Sequence, residues 1–413
     1  MKTLVSNPEQ IITADTSGLN FKRGKKMNDL GLLSGHSIVI EDKIIKDIIP
    51  NQKIKKLKFD KTIDLKNKII LPGLIDCHTH TVFSGSRSDE FIQKLSGVSY
   101  EEIAKKGGGI NKTVESVRES SFDELFNLGK RRVQRFIEQG VTALEIKSGY
   151  GLSFYDEIKM LQVINRLNLT GIEIIPTFLG AHTFPKEYKN DRQKYLQIIT
   201  DELLPYIAKN KLATFCDAFC EKTAFTKAET EHVFEKAKQL GLKTKLHTDQ
   251  FNSIGGIDIA IKSNSKSVDH LEVVNDEDIL KLSKTDITAV LLPGVSFTLN
   301  YGFAPARKLI DNDAIVALAT DFNPGSSPIQ NISLIMSLAA MKMKMTAEEI
   351  ISAFTINAAN ALSISDKTGS IEINKNADFS VFGCNDYKEI IYNIGTNLNC
   401  MTISKGEIVY QNS

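Results

Sequence analysis

Hydrophobic and polar positions change their period along the chain, and the changes divide it into three zones. At both ends, short β-branched runs alternate with polar turns, which is the period of half-buried strands. Residues 37–48 carry two such runs around Glu41-Asp42-Lys43, a hairpin pattern. Similar runs recur at Ser370-Ile-Glu-Ile, Asp378-Phe-Ser-Val-Phe and across 401–410. Two β-rich ends around a different middle predict one small β-sandwich domain assembled from residues 1–66 and 365–413. The lysine-rich stretch 53–61 falls in this part and reads as a solvated strand edge, where lysines discourage pairing with another sheet.

The middle alternates. Apolar, strand-like runs lie at 74–76, 143–146, 173–177, 215–219, 243–246, 267–269, 288–292 and 315–319. Segments of helical period separate most of them, at 123–139, 155–167, 191–208, 227–240, 253–262 and 276–282. A sheet whose connections are helical is parallel, and eight such units close as an α/β (β/α)₈ TIM-like barrel, here over residues 67–364. A doubly wound open sheet is the competing fold.

Composition narrows the function classes. The 413 residues hold 51 basic and 50 acidic side chains, and a net charge of +1 offers no attraction to nucleic acid or an anionic membrane. An apolar fraction of 42% with 24% charged residues excludes disorder. The first residues lack the apolar core of a signal peptide, and runs such as 314–319 are far shorter than the roughly 18 residues of a membrane span. Five cysteines, none in a C-x-x-C pair, predict reduced thiols and a cytoplasmic protein.

Candidate chemistry concentrates at predicted strand ends. Asp76-Cys77-His78-Thr79-His80 follows the first run, and residues two apart on a strand share a face, so both imidazoles would point into the barrel and could share a cation. Taken alone, the motif also fits two hydrogen-bonded core histidines. His247 ends the fifth run, His270 the sixth and Asp321 the eighth. Barrel active sites lie at the C-terminal ends of the strands, so four strands deliver metal-competent groups to one rim.

This pattern resembles the amidohydrolase superfamily, with H-x-H on strand one, histidines on strands five and six, and aspartate on strand eight. Glu145-Ile-Lys-Ser-Gly-Tyr-Gly-Leu, Phe178-Leu-Gly-Ala-His182 and Thr320-Asp-Phe-Asn-Pro-Gly-Ser are more specific. They resemble the members that hydrolyse 4-imidazolone-5-propanoate to N-formimidoyl-L-glutamate in histidine degradation. The resemblance implies that His78, His80, His247 and Asp321 bind one Zn²⁺ or Fe ion. It further implies that Asp321 accepts the proton of the attacking water and that His270 hydrogen-bonds the carbonyl or oxyanion. Arg87 is implied as the partner of the substrate carboxylate, a role that suits a planar guanidinium. Tyr150, His182, Gln250, Asn323, Gly325 and Ser326 are implied as further substrate contacts, and the assembly as a homodimer.

Some positions depart from relatives. Two-metal members carry a carboxylated lysine on strand four, where this chain has Asp217-Ala-Phe-Cys-Glu221, so a single metal is expected. Deaminases of the superfamily place glutamate three residues after the strand-five histidine, but Gln250 stands here and an amide is neither acid nor base. Lys147, at the end of strand two, reads as an ion pair or hydrogen bond ordering the Gly149-Tyr-Gly151 loop rather than as a metal bridge. Cys77 alternates away from its neighbouring histidines and is expected outside the barrel. The glycine run at 107–109 lacks the glycines of a phosphate loop, and the resemblance offers it instead as a lid. A ring deaminase of the same fold and a non-catalytic barrel scaffold are the alternatives.

Overall fold

A computed structural model describes residues 1–97 and 108–412, so Gly107 of the expected lid lies outside the described residues. Eight parallel strands pair in chain order: β1 (Leu74–Asp76), β2 (Val141–Lys147), β3 (Glu173–Ala181), β4 (Phe215–Cys220), β5 (Lys243–Thr248), β6 (Ser267–His270), β7 (Thr288–Leu291) and β8 (Ile315–Leu318). Each stands where the apolar runs predict it. Helices Phe122–Ile137 and Lys227–Gln239 begin at capping boxes built on Ser121 with Glu124 and on Thr226 with Glu229. The helix expected over 191–208 is broken. Its turns are Arg192–Gln197, a π-helical Ile198–Leu203, and Leu204–Asn210 with Pro205 in its first turn. Proline has no N–H to continue the ladder, and the wider turn accommodates it.

Strand alternation makes layers inside the barrel. Glu145 and Lys147 on β2, Thr177 on β3, Asp217 on β4, Lys245 and His247 on β5, and Asp269 on β6 are all buried. Two residues earlier on their strands, Ala143, Ile175 and Phe215 share an apolar cluster with Ile75, and side chains two apart share a face. Cys77 belongs to that same cluster, inside the barrel and not outside it as alternation suggested. The reason is local: β1 ends at Asp76, so strict alternation stops before the histidines.

The first and last strands meet at the barrel's top. Thr79 bridges Phe322 in parallel, Asp321 N donates to His78 O at 3.0 Å, and His80 N donates to Phe322 O at 2.9 Å. The Thr320 hydroxyl donates to Asp76 Oδ2 at 2.6 Å across the same seam.

The chain ends build two further sheets. One orders Ile44–Pro50, His36–Glu41, Lys2–Ser6 and Lys61–Asp64; the other orders Glu407–Gln411, Asn399–Ser404, Phe379–Phe382, Ile69–Pro72, Gln10–Ile12 and Leu32–Leu33. Val5, Ile38 and Ile63 from the first pack with Ile70, Phe379 and Ile403 from the second, the core of a β-sandwich. The 37–48 hairpin forms, with Asp42 and Lys43 both at positive φ (+52° and +72°) in its tight turn. The lysine-rich stretch is strand only at Lys61–Asp64, an edge of its sheet; residues Asn51–Lys56 form a 3₁₀ turn.

Candidate metal centre and active site

Beneath the barrel's rim lies a wholly buried charge network. Lys147 Nζ is 2.8 Å from Asp217, 2.9 Å from Glu145 and 3.7 Å from Asp269. Lys245 Nζ is 2.7 Å from Glu145 and 3.8 Å from Asp269, and donates to Cys77 O at 2.7 Å. Two ammonium groups thus face three carboxylates. Burial alone would raise the carboxyl pKa values, but His247 and Lys147 hold Asp217, and Lys245 and His78 hold Asp269, well below the usual range. Lys147 is an ion pair, as read from the sequence, but it does not order the Tyr150 loop. Glu157 does so, accepting from the backbone N–H groups of Gly149, Gly151 and Leu152 at 3.1, 2.8 and 2.9 Å.

The network orients the histidines above it. His78 Nδ1 is 2.6 Å from Asp269 Oδ2, and His247 Nδ1 is 3.1 Å from Asp217 Oδ2. His247 makes no well-formed hydrogen bond at either ring nitrogen, and His78 Nε2 and Asp321 Oδ1 are also buried without a hydrogen-bond partner among the described residues. Asp321 Oδ1 is 3.3 Å from His78 Nε2 and 3.4 Å from His80 Nε2. Ligand atoms of His78, His80 and Asp321 lie within 4.8 Å of one another, as do those of His78, His247 and His270. Burial depresses His80, and pushes His247 down to about 3, so both rings stay neutral and able to ligate. Converging imidazoles and a carboxylate, with His78 Nε2, His247 Nε2 and Asp321 Oδ1 unanswered, fit a borderline metal ion. Asp217, His247 and Asp269 could hold a cation too, but the Lys147 ammonium already supplies positive charge there.

The remaining expected residues form two groups. Tyr150 and His182 join the centre: the His182 ring stacks on His80 at 5.3 Å and lies 5.5 Å from the Tyr150 ring. His182 Nδ1 is 3.0 Å from Gly149 O, so that nitrogen carries the proton and Nε2 accepts. Gly149 has a φ of +101°, and a Cβ there would come within 2.7 Å of Leu179 O, which explains the glycine beside Tyr150.

Arg87 belongs to the second group. It lines a cavity of about 340 Å³ with Phe83, Pro324 and Gly325, and its Nε donates to Glu90 at 2.8 Å. A Cβ on Gly325 would lie 2.0 Å from Arg87 Nη1. Asn323 Oδ1 accepts from Gly325 N and Ser326 N, both at 2.8 Å, and Asn323 Nδ2 donates to Asp321 O at 2.7 Å. Its amide therefore shapes the loop that joins the Arg87 cavity to Asp321. Gln250 Nε2 donates to Tyr301 Oη at 3.1 Å. Sequence reasoning gave no role to Asp217, Asp269, Lys245, Glu157 or Glu272. For Asp217, Lys245 and Asp269 the signal was charge at alternate positions of otherwise apolar strands, as in Lys243-Thr-Lys245-Leu-His247; Glu157 lies on a helix and Glu272 in a turn, where no such pattern marks them.

An eight-stranded barrel with a histidine–aspartate centre at its C-terminal rim defines a metal-dependent hydrolase class, and the chain belongs to the amidohydrolase family, whose model matches residues 69–409. Within that family it is similar to the imidazolonepropionase of Clostridium tetani, 42% identical across 99% of this chain and 98% of that protein. It is also similar to the imidazolonepropionase of Christiangramia forsetii, 43% identical across 92% and 93%. Among solved structures, E. coli guanine deaminase shares the fold at a TM-score of 0.77, with 14% identity and 100% of each chain covered. A zinc-bound adenosine deaminase from Xanthomonas campestris matches at 0.73, with 16% identity over 98% of this chain and 92% of its own.

Proposed function

We infer that the protein hydrolyses the ring C–N bond of 4-imidazolone-5-propanoate, giving N-formimidoyl-L-glutamate in histidine degradation. The observation that carries this reading is a histidine–aspartate centre joined by one short loop to an arginine-lined cavity, in a chain over 40% identical to imidazolonepropionases. Such a substrate has a small ring to open and a carboxylate arm to anchor.

His78, His80, His247 and Asp321 would hold one Zn²⁺ or Fe ion. When bound, that ion supplies Lewis acidity and lowers the pKa of water from 15.7 to about 7. The protein's own groups do the rest. Asp321, the carboxylate at the centre, takes the proton of the attacking water. His270 hydrogen-bonds the carbonyl oxygen as charge develops on it. Asp321 then releases its proton to the leaving ring nitrogen, which departs as a neutral amidine nitrogen. Arg87 anchors the propanoate, Tyr150 and His182 pack on the ring, and the His182 Nε2 lone pair accepts a ring N–H. Gly325 and Ser326 border the arm, while Gln250 contacts the ring from the β5 side.

All five cysteines are free thiols, which suits the reducing cytoplasm, and no helix among the described residues is long and apolar enough to cross a membrane. A homodimer acting on this one small molecule, without nucleic acid, completes the reading.

The test is loss of imidazolone absorbance with metal-loaded protein, compared with a chelated sample. Turnover in the loaded sample alone is expected. No loss in either would sink the assignment, and ammonia release from a nucleobase-like ring instead would favour a deaminase.

A further inference from the structure

We infer that Glu272 is the positioning partner of His270, an inference that rests on the reaction proposed above. Three observations carry it. The first is backbone geometry. His270 and Leu271 take φ values of +90° and +70°, and two successive non-glycine residues in that region are costly unless the surroundings hold them. This turn ends β6 and brings the next side chain back against the ring that precedes it: Glu272 Oε1 lies 3.6 Å from His270 Nδ1.

The second is burial without satisfaction. The Glu272 and His270 side chains are 2% and 4% exposed. Neither Glu272 oxygen, nor His270 Nδ1, has a well-formed hydrogen bond among the described residues. A buried carboxylate in that state is expensive, and the nearest imidazole N–H is the natural remedy. Closing the gap to hydrogen-bond length takes less than about 1 Å.

The third is what surrounds the pair. Tyr301 faces the same carboxylate; burial first, and the Glu272 charge next, raise its phenol above the ordinary range. The Tyr301 oxygen already accepts from Gln250, whose amide cannot carry a proton. Among the described residues, Glu272 is the one carboxylate within 4.0 Å of a His270 ring nitrogen. With Nδ1–H held by Glu272, Nε2 is the nitrogen left to face the substrate carbonyl. His270 stands beside His78 and His247, with ring centroids 5.9 and 5.4 Å away, so the direction of Nε2 decides whether it reaches the reacting oxygen.

The experiment compares native protein with Glu272→Gln, His270→Asn and the double variant, all loaded with zinc. A carboxamide keeps the shape but no longer selects Nδ1–H. Glu272→Gln is expected to lower kcat roughly 10- to 100-fold, with KM, metal content and melting temperature little changed. Acting through His270 alone, it should add nothing in the His270→Asn background. Nitrogen-15 NMR of histidine-labelled protein reads the pair without any turnover. It should show the proton on His270 Nδ1 in native protein and a changed tautomer in Glu272→Gln. Native kcat in Glu272→Gln, an equal slowing in both backgrounds, or an unchanged His270 spectrum would overturn the inference. If native protein leaves the imidazolone intact, the reaction reading fails instead, and the spectrum still decides whether Glu272 holds His270.

Discussion

Asp269 Oδ2 lies 2.6 Å from Nδ1 of His78, and neither side chain reaches solvent. That contact favours a proton on His78 Nδ1, and Nε2 then stands 3.3 Å from Asp321 Oδ1. In the proposed metal centre, the tautomer and ring direction of this ligand would thus be set by a carboxylate outside it. Asp269→Asn replaces an acceptor with an amide that can donate into Nδ1. The expected result is a loss of roughly 10- to 100-fold in metal affinity with the fold intact. Metal titration against a competing chelator, beside a circular-dichroism spectrum, checks it; native affinity would remove Asp269 from this role.

Lys147 is the second point of control. Replacing it with methionine leaves Glu145, Asp217 and Asp269 facing one ammonium instead of two. Breaking a buried ion pair by removing one partner costs about 3–5 kcal/mol. Lys147→Met should therefore lower the urea midpoint strongly. A midpoint equal to native would mean that the network carries no such charge balance.

Arg87 and Gly325 form one test of substrate binding. A methyl group on Gly325 would lie 2.0 Å from the Arg87 guanidinium and must displace it. Gly325→Ala and Arg87→Ala should each raise KM, by up to roughly 100-fold for the loss of a charge-assisted contact of about 1.5–3 kcal/mol. Zinc content should not change in either. A low KM in Gly325→Ala would place the carboxylate elsewhere.

Glu157 holds the loop beneath Tyr150 through three backbone N–H groups. Its removal leaves buried donors unanswered, at about 1–3 kcal/mol for each. Glu157→Ala is expected to reduce stability and raise KM together, with Glu157→Gln recovering part of both. Equal KM values in all three proteins would separate the loop from substrate binding.

Much of this arrangement could be read from the chain beforehand, and the limits have physical causes. The barrel was legible because eight apolar runs and the helices between them have distinct periods. The rim was legible because His247, His270 and Asp321 close their runs in sequence. The layer below was not: Glu145, Lys147, Asp217, Lys245 and Asp269 matter only as a set, and their mutual distances arise from closure of the barrel. Cys77 was misplaced because alternation was extended past the end of β1. Glu272 stayed invisible because its position depends on two left-handed residues that no side-chain pattern announces.

The seam between β1 and β8 has a consequence for the life of the chain. The residues that zip the barrel shut, from His78 to His80 and from Asp321 to Phe322, include three of the proposed ligands. On a ribosome, His78 and His80 emerge long before Asp321, so the nascent protein displays an incomplete chelate through most of its synthesis. Ion capture and barrel closure then become one late event, and a chain truncated before residue 321 can complete neither.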